Sequence, residues 1–291
     1  MDRTITLLVN PTSGSGKGER FGVQARDRLR AAGRTVLHRV SIDAEDAARI
    51  AAEAVADQGT DLVVCGGDGL VNLAVQALAR TGRPLGIIPA GTGNDVARYF
   101  GIPRDRAAGA AEVVLGGRRR TIDLAVSDGR YFATVMAAGF DAKVNERANR
   151  MAWPRGQMRY NIATVAELGV FHPIPYVLHL DGDTLEVEAM TVAIGNGPSF
   201  GGGLRITEGA SLEDGKLDVV LFRTMSKLGL VRAYPRLFNG THVRLPQYQR
   251  FQVRRVTVAA PGITAYADGE RFGALPLTIE AVPAALEVWV P

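Results

Sequence analysis

Residues 62–72 read LVVCGGDGLVN, and their pattern indicates how the first part of the chain folds. Residues 62–65 are apolar throughout and have the length of a buried strand. The glycines around Asp68 then end the strand, because glycine adopts turn conformations that side chains disfavour. A helical pattern of apolar residues follows over residues 70–80. The stretch therefore predicts a strand, a tight glycine-rich turn and a helix in direct succession.

The same succession repeats on both sides of this stretch. Parallel strands need crossover connections, which helices supply, so the alternation predicts a mainly parallel sheet with helices on both faces. We therefore expect an α/β domain in the first part of the chain. Its strands are predicted at residues 4–9, 35–40, 62–65 and 85–88, and its helices at 19–32, 43–57, 70–80 and 94–100.

From residue 121 onward, strands separated by Gly, Pro and Asp turns dominate the sequence. This change predicts a second, β-rich domain, with domain bounds at 1–122 and 123–291. Pro235 should bend or end the last of its helices. The strands are predicted at 121–126, 131–137, 184–194, 216–222, 251–259 and 286–290, and the helices at 142–151, 157–170 and 227–237.

The composition excludes several classes of protein. Of the 291 residues 46% are hydrophobic, which is enough to build cores for two domains of the usual ~150 residues each. The 22% of charged residues argue against a disordered chain, and no apolar run approaches the ~18 residues of a membrane span. The single cysteine, Cys65, cannot form an internal disulfide. We therefore expect a soluble cytoplasmic protein.

The formal net charge of +4 is mildly basic. Such a charge suits an anionic partner, such as a phosphate or an acidic lipid surface, and it is too small to indicate nucleic-acid binding. The sequence leaves a homodimer open.

Three glycine-rich loops are the strongest functional signal. Residues 10–18, 66–69 and 89–95 each follow a predicted strand and lead into a predicted helix. In a parallel sheet such loops share the edge where ligands bind. Glycine lets backbone amides approach an anion, and the helix N-terminus adds partial positive charge. The loops together predict a nucleotide site, although each alone is also an ordinary strand-to-helix turn.

Two known phosphate motifs do not match these loops. A Walker A loop needs Gly and Ser or Thr where this chain has Pro11 and Gly18. The dinucleotide pattern G-x-G-x-x-G fails because Val96 stands where the third glycine belongs. The sequence therefore disfavours an ordinary P-loop enzyme and an ordinary dehydrogenase.

An ordered set of short segments resembles the catalytic domain of the diacylglycerol kinase and sphingosine kinase family. The resemblance implies a nucleotide domain like those of phosphofructokinases and NAD kinases, followed by a β-sandwich domain for the lipid substrate, with ATP in the cleft between them. The segments are VNPTSG (9–14), GGDG (66–69), GTGND (91–95), IDL (122–124), AGFD (138–141), GNG (195–197), GGG (201–203), DGKLDV (214–219) and DGE (268–270).

The same resemblance assigns nucleotide-binding positions. Ser41 stands where the family more usually has Thr. The implied ATP-binding residues are Asn10, Pro11, Thr12, Ser13, Gly14, Ser41, Gly66, Gly67, Asp68, Gly69, Asn72, Gly91, Thr92, Gly93 and Asn94.

Two acidic residues are the implied catalytic groups. Asp68 would orient Mg²⁺ on the β- and γ-phosphates, and Glu270 would accept the proton of a lipid hydroxyl as it attacks the γ-phosphate. Locally, Asp68 is also an Asp that satisfies the backbone of a tight turn, and Glu270 a solvated hairpin residue.

The family pattern further implies a second Mg²⁺ site at residues 211–216. Asp214 would supply a carboxylate, while Ser211 and Lys216 would offer mainly backbone oxygens, which suits an ion that keeps several waters. An Asp-Gly turn between two strands explains the same letters. Asp123 would link the two sites through water or make a structural polar contact.

One departure concerns the acceptor. Leu70 stands where many diacylglycerol kinases carry Thr, as it does in the sphingosine kinase branch. The sequence therefore predicts transfer of the γ-phosphoryl group of Mg-ATP to a lipid hydroxyl, such as that of diacylglycerol, without naming the lipid.

A basic and aromatic stretch suggests how such an enzyme reaches its lipid. Cations beside an interfacial tryptophan favour peripheral contact with an anionic bilayer. A solvated helix face with Trp153 in the core is the alternative. The residues of this stretch are Lys143, Arg147, Arg150, Met151, Trp153, Arg155, Met158 and Arg159.

The sequence also bears on three other functions, those of a hydrolase, a non-catalytic sensor and an NAD kinase. Residues 197–201 satisfy the hydrolase pattern G-x-S-x-G around Ser199, but only His242 follows as a possible base and no helix is predicted next. A non-catalytic nucleotide or lipid sensor and an NAD kinase remain as alternatives, and the 201–203 and 214–215 glycine segments favour the lipid branch.

Overall fold

The computed structural model describes residues 3–151, 153–154, 158–159, 162–163, 166 and 172–291. The chain forms two compact units. The first contains the residues up to Leu124 together with Val282–Pro291, and the second contains Ala125–Ala281.

The first unit is built on a parallel sheet, as predicted. Its strand order is β2-β1-β3-β4-β15, with Ile5 opposite Val36 and Leu62 opposite Leu85. The last residues of β15 pair in parallel with β4. The strands are β1 (Thr4–Val9), β2 (Val36–Val40), β3 (Thr60–Gly66), β4 (Pro84–Pro89) and the end of β15 (Leu277–Trp289).

The central strands explain the continuous apolar runs in the sequence. Every residue of β3 and β4 is buried. Helices cover both faces of such a sheet, so both sides of each strand face a core and the alternation typical of exposed strands is absent. The burial of these strands therefore follows directly from the parallel arrangement.

Helices α1 to α4 follow the strands as predicted. Asp43 caps α2, since its carboxylate accepts a hydrogen bond from the Asp46 N–H at 2.8 Å. A fifth helix was not predicted, because its Ala- and Gly-rich sequence has no clear apolar period. The helices are α1 (Ser13–Ala31), α2 (Ala44–Ala56), α3 (Asp68–Leu78), α4 (Asp95–Tyr99) and α5 (Ala107–Gly116).

The second unit is rich in β-strands, as predicted. The long strand β9 pairs antiparallel with β8 through its first half and with β7 and β10 through its second half. Its strands are β6 (Arg130–Phe132), β7 (Val135–Gly139), β8 (Ile174–Leu180), β9 (Asp183–Gly195), β10 (Leu217–Arg223), β11 (Tyr248–Val253), β12 (Arg255–Ala259), β13 (Thr264–Ala267), β14 (Glu270–Ala274) and the start of β15, while β5 (Arg119–Ser127) runs from the first unit into it.

Two predicted strands of this unit are each two strands. The carboxylate of Asp268 accepts the N–H groups of Ala133 and Thr134, and this divides β6 from β7. Asp181 likewise accepts the N–H groups of Arg254 and Arg255 between β11 and β12. A backbone N–H held by a side chain leaves the ladder, so the strand ends there. Strands β8, β13 and β14 were not predicted.

The helices of the second unit agree with the prediction where the structure describes them. Pro235 separates α7 from α8, as its missing N–H requires. The predicted helix at 157–170 lies largely outside the described residues. The helices are α6 (Phe140–Arg150), α7 (Lys227–Ala233) and α8 (Arg236–Asn239), followed by a 3-10 turn at Thr241–Arg244. Among the residues described, no helix combines the length and apolar character needed to cross a membrane.

The compact units differ from the predicted domain bounds at the end of the chain. Val282–Pro291 lie with the first unit, although the sequence placed them in the second domain. The physical reason is strand β15, whose residues Leu277–Glu280 pair with β12 and whose Glu287 and Val288 pair with β4. A pairing between residues this far apart leaves no local signal.

The two tryptophans test this arrangement. Trp289 is 4% exposed and would contact any side chain at Gly86, whereas Trp153 is 79% exposed. We expect Trp289→Ala to lower the free energy of unfolding by about 3–5 kcal/mol, because a large buried side chain is lost. Trp153→Ala is the matched control and should change it little. Equal urea-denaturation midpoints for the two variants would contradict the placement of the last strand.

Candidate active site

The loop after β1 is organised by Asn10. Its side-chain oxygen accepts hydrogen bonds from the N–H of Thr12 at 3.1 Å and the hydroxyl of Thr12 at 2.9 Å. Gly14, Ser15 and Gly16 then follow in left-handed backbone conformations, with φ of 58°, 62° and 90°. Regular helix therefore begins only after Gly16. The loop before it, which follows β1, is largely exposed.

Close contacts explain two of its glycines. A Cβ atom at Gly14 would lie 2.2 Å from the carbonyl oxygen of Ala90, and one at Gly18 would lie 2.0 Å from that of Asn10. Neither site has room for a side chain. Gly18, one of the two positions that failed to match a Walker A loop, is therefore set by packing within its own loop, and Gly14 by packing against the loop after β4.

The loops after β3 and β4 touch through their backbones. A Cβ atom at Gly91 would lie 2.4 Å from the Cα of Gly67, and the N–H groups of Ala90 and Gly91 both donate to the carbonyl of Gly66. All three loops predicted to meet at one sheet edge therefore do so within the first unit.

The Asp68 carboxylate ties these two loops together. Its two oxygens accept the N–H groups of Asn94 and Asp95, each at 2.8 Å. A Cβ atom at Gly93 would lie 2.2 Å from one of those oxygens, so glycine is required there. Asp68 thus satisfies backbone groups of the neighbouring loop, whereas the local interpretation placed those groups in its own turn. An ionised carboxylate offers about four acceptor positions, so this role is compatible with a cation.

Asn94 completes the loop. It has a left-handed backbone with φ of 55°, and its amide bonds both the N–H and the carbonyl of Gly91. Thr92, which follows Gly91 in the chain, is exposed. The N–H groups of Thr92 and Gly93 make no hydrogen bond within the described part of the chain. Such unsatisfied donors on an exposed glycine loop fit an anionic ligand.

The other predicted nucleotide residues have different surroundings. Ser41 is buried, and its hydroxyl donates to the carbonyl of Val9 at 3.2 Å. Asn72 lies on α3, where its side-chain and backbone oxygens accept from Gln76. Cys65, beneath the loops, is buried, which raises the pKa of its thiol to about 12 and makes it a poor nucleophile.

Cations near the loops were missed by the sequence reasoning. The Arg98 Nε atom donates to the carbonyl of Gly93 at 2.8 Å, and burial followed by the charge of Arg104 lowers its pKa. Lys17 donates to the carbonyl of Arg104 at 3.1 Å and lies over the ring of Phe21. These positive groups favour phosphate binding. Their positions were the only hint in the sequence, since Lys17 lies within the first glycine loop and Arg98 lies three residues after the third.

Glu270, the predicted proton acceptor, lies in the second unit. It begins β14 directly after a tight turn in which Asp268 and Gly269 have φ of 50° and 85°. Glu270 is exposed, so the local interpretation as a hairpin residue also holds. The Asp268 carboxylate anchors this hairpin by bonding the N–H and hydroxyl of Thr134 at 2.9 and 2.6 Å.

The predicted metal-binding segment is a tight turn. Asp214 accepts a hydrogen bond from the N–H of Lys216 at 3.1 Å, and the hydroxyl of Ser211 accepts one from the N–H of Glu213 at 3.2 Å. Asp214 is exposed. Within the described residues no group of three or more His, Cys, Asp or Glu forms a metal site. A single exposed carboxylate beside backbone oxygens fits only a cation that keeps most of its water, as Mg²⁺ does.

An ion pair with one buried partner follows this turn in the chain. Asp218 is buried in β10, and it pairs with Arg250 of β11. Burial raises the pKa of Asp218, while its contact with Arg250 opposes the shift. Arg250 also donates to the carbonyls of Glu208 and Gly209 at 3.2 and 3.0 Å. Sequence reasoning did not single out this arginine, because its partner lies on another strand.

The surroundings of Ser199 and His242 do not fit the hydrolase alternative. Gly201 to Gly203 have positive φ and form turns after Ser199, so the helix that a hydrolase nucleophile requires is absent from this described stretch. His242 is fully buried between the carbonyls of Arg236 and Ile206. The hydrolase alternative therefore fails.

Asp123 makes a structural contact, since it accepts the N–H of Ala284 at 2.8 Å.

The basic and aromatic stretch is partly described. Trp153 and Met158 are exposed, so the alternative that Trp153 fills the core is wrong. Met151 packs against a cluster of Phe140, Val144, Ala148 and Ala163. Arg155 lies outside the described residues.

The loop-joining role of Asp68 can be tested without any ligand. Asp68→Asn replaces one acceptor oxygen with an amide N–H₂, which then faces a backbone N–H. We expect the free energy of unfolding to fall by about 1–3 kcal/mol, the cost of an unsatisfied buried donor. Urea denaturation in the absence of nucleotide and metal measures it. Asp105→Asn, an exposed change in the same unit, should leave the midpoint unchanged, and an equally unchanged Asp68→Asn would contradict the role.

Two family profiles match the chain. Residues 4–127 match the diacylglycerol kinase catalytic domain, and residues 134–290 match the YegS C-terminal NAD kinase beta sandwich-like domain. The two matches follow the α/β and β-rich parts of the fold.

Whole-chain comparisons agree with these profiles. A Mycobacterium tuberculosis protein named diacylglycerol kinase is 47% identical, over 99% of this chain and 95% of its own length. A Pseudomonas aeruginosa protein named "Probable lipid kinase YegS-like" is 33% identical, over 100% of this chain and 96% of its own. A crystal structure of a diacylglycerol kinase from Bacillus anthracis, 24% identical, matches in fold with a TM-score of 0.81, covering 99% of this chain and 97% of that one. The chain therefore belongs to the diacylglycerol kinase family of lipid kinases.

Proposed function

We propose that the protein transfers the γ-phosphoryl group of Mg-ATP to the hydroxyl of diacylglycerol. The observation that carries the proposal is the contact of three glycine loops at one edge of the parallel sheet, two of them joined by the Asp68 carboxylate. The relative at 47% identity that is named diacylglycerol kinase supports this acceptor.

The residues of the first unit would bind the triphosphate. The N–H groups of Thr92 and Gly93 supply donors, and Lys17 and Arg98 supply positive charge beside them. These groups are held in place before the ligand arrives, so little reorganisation is needed as charge develops in the transition state. Magnesium, when bound, would neutralise charge on the β- and γ-phosphates. Asp68 would orient it while keeping its two backbone hydrogen bonds.

Glu270 would act on the acceptor. Its exposed carboxylate takes the proton of the lipid hydroxyl as the oxygen forms a bond to the γ-phosphorus. The bond from that phosphorus to the oxygen it shares with the β-phosphate breaks in the same displacement, and ADP leaves with the electron pair. Asp268 would support Glu270 by fixing the hairpin that carries it.

Asp214 would hold a second magnesium ion. Its exposed carboxylate provides one ligand, and backbone oxygens at Ser211 and Lys216 provide others, with water completing the shell. The ion pair of Arg250 and Asp218 would hold the start of β10, which directly follows this turn, in place.

Residue 70 bears on the identity of the acceptor. Leu70 is buried, and its side chain lies over Gly66, so the position that carries a hydroxyl in many diacylglycerol kinases is filled by apolar packing here. A sphingoid base or phosphatidylglycerol is therefore a second candidate.

We further propose peripheral contact with the membrane through the stretch around Trp153, whose exposed ring suits the bilayer interface.

Labelled phosphate transfer tests the function. The protein is incubated with Mg-ATP labelled at the γ-phosphate and with diacylglycerol, sphingosine, ceramide, phosphatidylglycerol or NAD. We expect one labelled lipid, formed from diacylglycerol. Labelled NAD would indicate an NAD kinase, and ATP binding without any labelled product would indicate a sensor.

Replacement of Glu270 tests the proposed base. We expect Glu270→Gln to lower turnover by roughly 10²–10⁴-fold, the usual contribution of a general base, with unchanged ATP binding. Glu186→Gln is the control, because Glu186 is an exposed strand carboxylate of the same unit. A Glu270→Gln variant as active as Glu186→Gln would remove Glu270 from the mechanism.

A further inference from the structure

The helical segment after β10 exposes a set of large apolar side chains. Helices α7 and α8 and the 3-10 turn carry them, and we name this set the outer helical face. Its members, with their exposed fractions, are Leu228 (57%), Val231 (51%), Phe238 (47%) and Val243 (38%).

The opposite side of the same helices is already packed. Leu230 and Leu237 pack against the core formed by Val135, Val220 and neighbouring residues. Leu230 also contacts the apolar cluster of α6. The segment is therefore already packed against buried residues on its inner side. The outer helical face is a second apolar surface, which folding of the chain does not require.

The stretch of sequence that carries this face is basic. Residues 219–267 contain eight Lys or Arg and no Asp or Glu. Arg232, Arg236 and Arg244 are exposed, and their side chains have no ion-pair or hydrogen-bond partner among the residues described. Glu208, which lies beside Gly240, is ion-paired with Arg205. Nothing in the described surroundings neutralises the three arginines.

We propose that the outer helical face docks on an anionic bilayer, with its apolar side chains entering the headgroup region. Apolar side chains beside unpaired arginines are the composition of interfacial helices. Each arginine near an anionic surface adds attraction. The inference rests on the proposed function, because an enzyme that phosphorylates a bilayer lipid must remain at the surface that holds it.

Charge argues against a second copy as the occupant. A symmetric dimer through this face would place Arg232, Arg236 and Arg244 of both copies close together, and like charges across an interface oppose association. An anionic lipid surface meets both the apolar and the basic requirement.

Vesicle sedimentation without nucleotide tests the proposal. The vesicles contain either phosphatidylcholine alone or equal parts of phosphatidylcholine and phosphatidylglycerol. The variant Leu228→Ser/Val231→Ser should lower the partition coefficient on the anionic vesicles about tenfold or more, because two exposed apolar side chains no longer enter the lipid. The variant Arg232→Gln/Arg236→Gln/Arg244→Gln should lower it by a similar factor and should weaken its dependence on salt.

Val23→Ser, an exposed apolar change on α1 in the first unit, is the control and should bind as the unaltered protein does. Unchanged melting temperatures of both variants exclude unfolding as the cause. Unchanged partitioning of the two variants would overturn the proposal, and so would a change in oligomeric state without a change in partitioning. Because sedimentation needs no turnover, a protein that binds the vesicles through this face but phosphorylates no lipid would contradict the proposed function alone.

Discussion

The hydrogen bonds from the N–H groups of Asn94 and Asp95 to the Asp68 carboxylate are the constraint on which the candidate site depends. They hold the loop after β3 against the loop after β4. This contact leaves no space for side chains at Gly91 and Gly93, and the packing of Gly14 against Ala90 brings the third loop into the same assembly. The glycines are therefore consequences of how closely three backbones approach one another.

Carboxylates organise backbone in the second unit in the same way. Asp268 holds the start of β7 and anchors the hairpin of Glu270, and Asp181 separates β11 from β12. The buried Asp218, which follows the turn of Asp214 in the chain, pairs with Arg250. In each case an acidic side chain satisfies backbone N–H groups or an arginine that would otherwise lie unpaired. The groups proposed for catalysis are thus supported by neighbours that touch no ligand.

A kinase acting on a lipid must combine a polar phosphate site with an apolar substrate surface. The first unit provides the polar part through its loops, Lys17 and Arg98. The second unit provides exposed apolar side chains at Trp153 and along the outer helical face, next to arginines. Under the proposed function the chemistry of the two surfaces would differ because ATP would be bound from water and the acceptor from a membrane.

Apolar periodicity and turn residues are local signals, so the sequence alone was sufficient to predict the parallel α/β sheet, the β-rich second unit and the glycine loops, and its ordered short motifs resembled those of the family. It also located the break at Pro235. Three features were visible only in the folded chain: Val282–Pro291 join the first sheet, 131–137 and 251–259 are each split into two strands, and Arg250 and Asp268 bond backbone groups of distant segments. These features depend on partners far away in sequence, and no local pattern records such a partner.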